Sequence, residues 1–174
     1  CRFQPFRGVC CRHPCSMTKT VSITRRLEFD AGHRIPGHAG QCRNLHGHRY
    51  QLELTLTGEV LHNDKAADDG MILDFGDVKQ LANKHLVDLW DHAFLVYRGD
   101  TKLVEFLNDM EGGHKTVVLN DVPTVENLAQ VAFDILEPVF RNAFGHHLRL
   151  SKLVLYETPN CWADVRLARP HEQD

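Results

Sequence analysis

Apolar residues recur at the odd positions Val21, Ile23, Leu27 and Phe29, against Ser22, Thr24, Arg26 and Glu28 at the even ones. Only Arg25 breaks the alternation, and a period of two marks a half-buried strand. Tyr50, Leu52, Leu54 and Leu56 repeat the pattern against Gln51, Glu53, Thr55 and Thr57 until Gly58 stops it, which predicts a second strand after a Gly- and Pro-containing connection over 34–42. A polar loop at 62–70 and a short apolar piece at 71–75 lead into a predicted helix with Val78, Leu81, Ala82, Leu86 and Leu89 on one face. Residues 92–122 show no clear period, apart from one or two helical turns around 103–110. A second helix is predicted from Thr124, whose hydroxyl suits an N-cap and whose first turn holds Glu126. Val125, Leu128, Ala129, Ala132 and Leu136 form its apolar stripe, and Pro138 should end or kink it. Two further strands, 148–158 and 162–168, join through Pro159 and Asn160. The order strand, strand, helix, helix, strand, strand predicts an α+β domain.

Composition narrows the class. With 174 residues, 43% hydrophobic and 25% charged, the chain suits one globular domain. No run of about 18 apolar residues is present, which argues against a transmembrane helix. The net charge of −3 argues against an electrostatic grip on nucleic acid, and a small-molecule role fits better. Cys1, Cys10, Cys11 and Cys15 crowd the first sixteen residues, leaving Cys42 and Cys161 for the rest, so a reducing cytoplasm is the expected compartment. Those sixteen residues also hold Arg2, Arg7 and Arg12 without an acid, which leaves −6 on the remainder. Residues 1–16 are accordingly expected to be an extension outside a domain spanning 17–174. The competing reading, a metal site from Cys10, Cys11, His13 and Cys15, suffers from the poor chelate geometry of adjacent cysteines.

Chemistry concentrates around the second strand. His46 and His48 flank Gly47, and at the head of a strand both imidazoles leave one face, with Cα atoms about 7 Å apart. His33 ends the first strand on its apolar parity, and an antiparallel pairing brings it beside the other two. Three neutral imidazoles hold zinc with one position open, the arrangement of catalytic sites, where the metal polarises a substrate oxygen. Cys42, four residues before His46, admits three roles: a fourth ligand closing a structural site, a thiol of lowered pKa acting as a base, or an inert small hydrophobe. Asp91 and His92 form an adjacent acid and imidazole, or else a helix end whose histidine cation meets the last carbonyls. Glu157 lies in an apolar run and either needs a partner, such as a ring offering two parallel N–H donors, or faces outward.

The stretch Cys-Arg-Asn-Leu-His-Gly-His from Cys42 to His48 stands with Phe-Asp-Ala-Gly-His ending at His33, Asp91-His92, Pro-Thr-Val-Glu-Asn from Pro123, and Tyr-Glu-Thr from Tyr156. Together these resemble the 6-pyruvoyl-tetrahydropterin synthase family, which includes the queuosine-pathway 6-carboxy-tetrahydropterin synthases. The resemblance implies a tunnelling fold (ββααββ), an antiparallel sheet with helices on one face, whose trimers close a β-barrel and stack as a hexamer with sites between subunits. It implies zinc on His33, His46 and His48, Cys42 as the proton-abstracting base, Asp91 and His92 as its relay, and Glu157 as the pterin anchor, with Thr124 and Glu126 lining the pocket. The implied substrate is 7,8-dihydroneopterin triphosphate, with no organic cofactor. Three residues separate Cys42 from His46, which resembles the queuosine type, so the expected products are 6-carboxy-5,6,7,8-tetrahydropterin, acetaldehyde and triphosphate. The alternatives are a 6-pyruvoyl product or, in another class, a non-catalytic zinc module closed by Cys42. Arg43, Arg49 and Lys152 are candidates for holding the triphosphate.

Overall fold

The computed structural model describes residues 19–62 and 66–167; the expected extension 1–16, with its cysteines, and Ala168 lie outside them. β1 (Val21–His33) and β2 (His46–Gly58) pair antiparallel in unbroken register, from Val21 opposite Gly58 to His33 opposite His46. The alternation sorts their faces. Leu27, Phe29 and Ala31 are buried with Tyr50, Leu52, Leu54 and Leu56. The other face carries cross-strand polar pairs: Ser22 with Thr57, Thr24 with Thr55, Arg26 with Glu53, and Asp30 with Arg49. β5 (Leu148–Thr158) pairs antiparallel with β2, and β6 (Cys161–Arg166) with β5. Ser151 is an extra residue in β5: Leu150 sits opposite Leu56 while Lys152 already sits opposite Thr55. This bulge shifts the buried parity from Leu148 and Leu150 to Leu153 and Leu155. Glu157 therefore falls on the face that the histidines share.

Residues 92–122 hold more regular structure than the one or two helical turns expected around 103–110. They form β3 (Ala93–Tyr97), α3 (Thr101–Asn108) and β4 (Thr116–Leu119). β3 pairs parallel with the end of β1 over Ala31–His33, and β4 pairs parallel with β3. The sheet is thus mixed, in the order β4-β3-β1-β2-β5-β6, rather than wholly antiparallel. Nor are all helices on one face. Ala93 and Leu95 join the main core, whereas Val96 packs with Leu103 and Leu107 of α3 on the opposite side. A strand covered on both faces is a short continuous apolar run, here Ala-Phe-Leu-Val-Tyr, with no alternation to betray it.

The main helical layer is α1 (Phe75–Ala82), a π-helical turn (Asn83–Val87), α2 (Asp88–Trp90) and α4 (Val125–Phe144). Asp74 caps α1 by accepting the Gly76 N–H. Val78, Ala82, Leu86 and Trp90 are buried, and Leu89, expected on that face, is exposed. The wide π turn rotates the chain after it, bringing Trp90 inward in place of Leu89. Thr124 caps α4 by accepting the Asn127 N–H, as its sequence position suggested. Pro138 does not end that helix. Losing a backbone hydrogen bond there costs about 3 kcal/mol. Fully burying Leu136 and Phe140 on the flanking turns, at roughly 1.5–3 kcal/mol each, offsets it.

Candidate functional site

Two clusters of ionisable side chains stand on different sides of the β1–β2 pair. The first is the histidine trio. His33 and His46 are cross-strand partners, and His48 lies one pleat further along β2. Ring centroids are 4.5 Å apart for His33 and His46, 5.2 Å for His33 and His48, and 4.9 Å for His46 and His48. One ring nitrogen from each lies within 4.8 Å of the others. Gly47 between them is required by a close backbone approach, because a Cβ there would sit 2.9 Å from the Ala31 carbonyl oxygen.

The backbone selects the tautomers. A carbonyl can only accept, so His33 donates from Nδ1 to the Pro123 carbonyl at 2.7 Å, and His46 donates from Nδ1 to that of Asn44 at 2.8 Å. Each ring then turns an Nε2 lone pair the other way, the usual arrangement behind a metal-ligating imidazole. The buried Nε2 atoms of His33 and His48 have no hydrogen-bond partner. Burial, above all, holds both rings below the ordinary histidine pKa, so they are neutral near pH 7. Orphaned, convergent, neutral nitrogens fit a metal ion, and these three residues can hold one. Glu157 Oε1 lies 3.4 Å from His33 Nε2 and 3.9 Å from His48 Nε2, facing the cluster rather than outward.

Cys42 sits half-buried on a 3-10 turn (Gln41–Arg43). Its carbonyl accepts the Ile35 N–H at 2.8 Å, which folds the connection back over the strand ends. It does not join the cluster of convergent ligand atoms, so the closed Cys and three-His site considered from sequence is not the arrangement found. Thr124 spends its hydroxyl on the helix cap, and Glu126 is exposed in the same first turn. Pro123, just before them, reaches the trio through its carbonyl, a contact that sequence motifs do not announce.

Asp91 and His92 lie with Asp30 in the second cluster, away from the histidine trio within one chain. Asp91 Oδ1 accepts the Asp30 N–H at 3.0 Å, and Oδ2 accepts His92 Nδ1–H at 2.8 Å. The Asp30 N–H foremost, and the His92 ring with it, hold the Asp91 carboxyl below its usual pKa range. This fixes an ionised carboxylate behind a ring whose Nε2 points outward. The last carbonyls of α2 are satisfied by Lys115 rather than by His92, so the helix-end reading of that histidine does not hold. Asp30 also receives the guanidinium of Arg49, one of the groups considered for triphosphate. Sequence reading missed Asp30, Lys115 and the Pro123 carbonyl. Only the even parity of Asp30, on the open face beside Arg49, was available as a signal.

A mixed α+β sheet carrying three convergent imidazole nitrogens defines the class: a tunnelling-type protein with a candidate metal centre at one end of its β1–β2 pair. The profile of the family described as 6-pyruvoyl tetrahydropterin synthase matches residues 22–168, and the chain belongs to that family. It is 37% identical over 146 residues to a 6-carboxy-5,6,7,8-tetrahydropterin synthase of Rickettsia felis, covering 83% of this chain and 99% of the relative. A protein of the same name from Haemophilus influenzae is 29% identical over 147 residues, covering 83% and 97%. Among solved structures, an uncharacterized protein from Wolinella succinogenes superposes with a TM-score of 0.68 at 21% identity, covering 86% of this chain and 99% of that one. The 6-pyruvoyl tetrahydropterin synthase of Caenorhabditis elegans gives 0.57 at 24%, covering 86% and 97%. These likenesses show that the tunnelling-type fold is shared.

Proposed function

We propose that this chain is a zinc-dependent lyase converting 7,8-dihydroneopterin triphosphate to 6-carboxy-5,6,7,8-tetrahydropterin, with loss of acetaldehyde and triphosphate. The observation that carries the reading is the convergent trio of His33, His46 and His48, in which the buried Nε2 atoms of His33 and His48 have no hydrogen-bond partner. The names of the relatives and the Cys42 to His46 spacing support the carboxy product over the pyruvoyl one.

His33, His46 and His48 would hold the zinc, which when bound supplies Lewis-acid polarisation of a substrate oxygen. Glu157, at the mouth of the trio, would take the two parallel N–H groups of the pterin ring on its carboxylate, a charge-assisted pair that fixes the ring's orientation. Thr124 and Glu126, which follow Pro123 in the chain, would line the same pocket. The Cys42 thiolate would take a proton from the substrate side chain, and His92, as the imidazolium, would hand one over from Nε2, leaving the neutral Nδ1–H tautomer that Asp91 holds. Because Asp91 and His92 belong to a separate cluster from the trio, the pair would serve the site of a second copy. Two open sheet edges support such an assembly: among the described residues, no strand pairs with the edge of β1 that faces away from β2 over 21–29, or with the outer side of β6. Edges of this kind join copies by strand pairing, giving a trimer or a hexamer.

The test is to incubate the purified, zinc-loaded protein with 7,8-dihydroneopterin triphosphate and identify the products by mass. Release of acetaldehyde with a 6-carboxy pterin is expected. A 6-pyruvoyl pterin without acetaldehyde, or no turnover, overturns the reading.

A further inference from the structure

A helix ends with carbonyls that have no partner within it. At the end of α2 two of these are taken by one side chain: Lys115 Nζ donates to the Asp88 carbonyl at 2.8 Å and to the Asp91 carbonyl at 2.6 Å. Holding a long, exposed lysine in one geometry costs side-chain entropy, so the contact calls for a reason. The lysine's own backbone is anchored, since its carbonyl accepts the Phe94 N–H of β3 at 2.9 Å. The ammonium therefore projects from a fixed point on the sheet.

What it grips is a strained peptide. His92, at φ 59°, is the one non-glycine residue with positive φ among those described, a conformation that costs of order 1–3 kcal/mol unless its surroundings impose it. Its surroundings do so group by group. The Asp91 N–H goes to the Val87 carbonyl and the His92 N–H to the Asp30 carbonyl. The Asp91 carboxylate is held by the Asp30 N–H and the His92 ring. The remaining polar atom of the peptide joining Asp91 to His92 is the Asp91 carbonyl oxygen, and Lys115 holds it. Any rotation of that peptide changes φ of His92 and swings the ring away from its carboxylate.

We propose that Lys115 is a positioning residue for proton transfer, locking the Asp91–His92 peptide so that the imidazole keeps its Nδ1–H tautomer and its outward Nε2. The proton-transfer role rests on the lyase reading, but the lock itself is independent of it. The positive charge on Lys115 also adds to the forces that keep Asp91 ionised. Nothing in the sequence joins Lys115 to Asp91; the parallel pairing of β3 with β4 brings them together.

The variants are Lys115→Met, which keeps length without charge, and Lys115→Arg, which keeps the charge and donors. For Lys115→Met, kcat is expected to fall about tenfold, the scale of a modest displacement of a proton-transfer group, with KM, zinc content and melting temperature unchanged. Lys115→Arg should recover most of the loss. The imidazole nitrogen NMR spectrum of His92, recorded without substrate, should show a single Nδ1–H tautomer in the parent and a mixture in Lys115→Met. Parent-like kcat and ring spectrum in Lys115→Met would overturn the proposal. So would a loss of kcat that tracks lost zinc or stability and that arginine does not rescue. If the parent shows no turnover, the lyase reading fails, and the ring spectrum still decides whether Lys115 holds the pair.

Discussion

The two clusters flanking the β1–β2 pair differ in what they leave unsatisfied. The imidazoles of His33 and His48 are pushed toward neutrality by burial and keep orphaned Nε2 atoms; a desolvated lone pair of this kind is costly until something cationic meets it. The Asp30, Asp91 and His92 cluster is more open to solvent and internally complete, each carboxylate already paired with an N–H, a ring or a guanidinium. The first could hold an ion, and the second holds the His92 ring in one orientation. Under the proposed function, their placement on different sides of the sheet would have them cooperate between copies.

The largest effect should come from the ion-capturing side. His48→Ala is expected to lower zinc affinity by more than about 100-fold and to abolish turnover, checked by metal analysis after dialysis against a competing chelator. Retention of stoichiometric zinc would break the contrast. Next, Cys42→Ala should reduce kcat by about a thousandfold, within the range of a lost general base, while zinc stays bound. Parallel loss of metal would restore the closed structural site. A subtler effect tests the assembly. Coexpressed His48→Ala and His92→Ala chains, each inactive alone, should regain measurable turnover in mixed oligomers, because some interfaces then join an intact trio to an intact relay. If the mixture is no more active than its components, both clusters serve the same chain.

The smallest effect concerns acid stability. Asp30, held down chiefly by Arg49, and Asp91, held down chiefly by the Asp30 N–H, both have folded-state pKa values below their unfolded ones. Their contribution is therefore complete above about pH 4, the ordinary aspartate value, and is lost as the pH falls through the folded values. Both groups are substantially exposed, so the effect is modest. Asp91→Asn should flatten the decline in urea midpoint below about pH 4 while leaving the histidine trio's zinc affinity intact. An unchanged acid profile would show that the relay carboxylate is not held as described.

Much of this contrast was legible in residues. Alternation in β1, broken only at Arg25, and in β2 placed His33, His46 and His48 on one face, since a slip of one residue would have exposed every leucine of that face. Thr124 announced its cap. Glu157 was not decided by spacing, because the bulge at Ser151 inverts the parity of β5 after its first residues. Leu89 and Trp90 exchanged places because a π turn adds a residue that no periodicity records. Residues 92–122 hid β3 and β4 but not α3, which falls on the helical turns expected around 103–110; β3, covered on both faces, leaves no period to read.

The chain's own pattern, then, determined the β1–β2 hairpin, the convergence of three imidazoles and the α+β class, all consequences of local alternation and hydrophobic burial. Tertiary structure alone decided that Pro123 and Asn44 fix the imidazole tautomers, that Glu157 turns inward, and that Lys115 meets Asp91. Apart from the local Asn44 contact, these join segments far apart in sequence or depend on a bulge, and the energy that selects them exists only once the sheet is assembled.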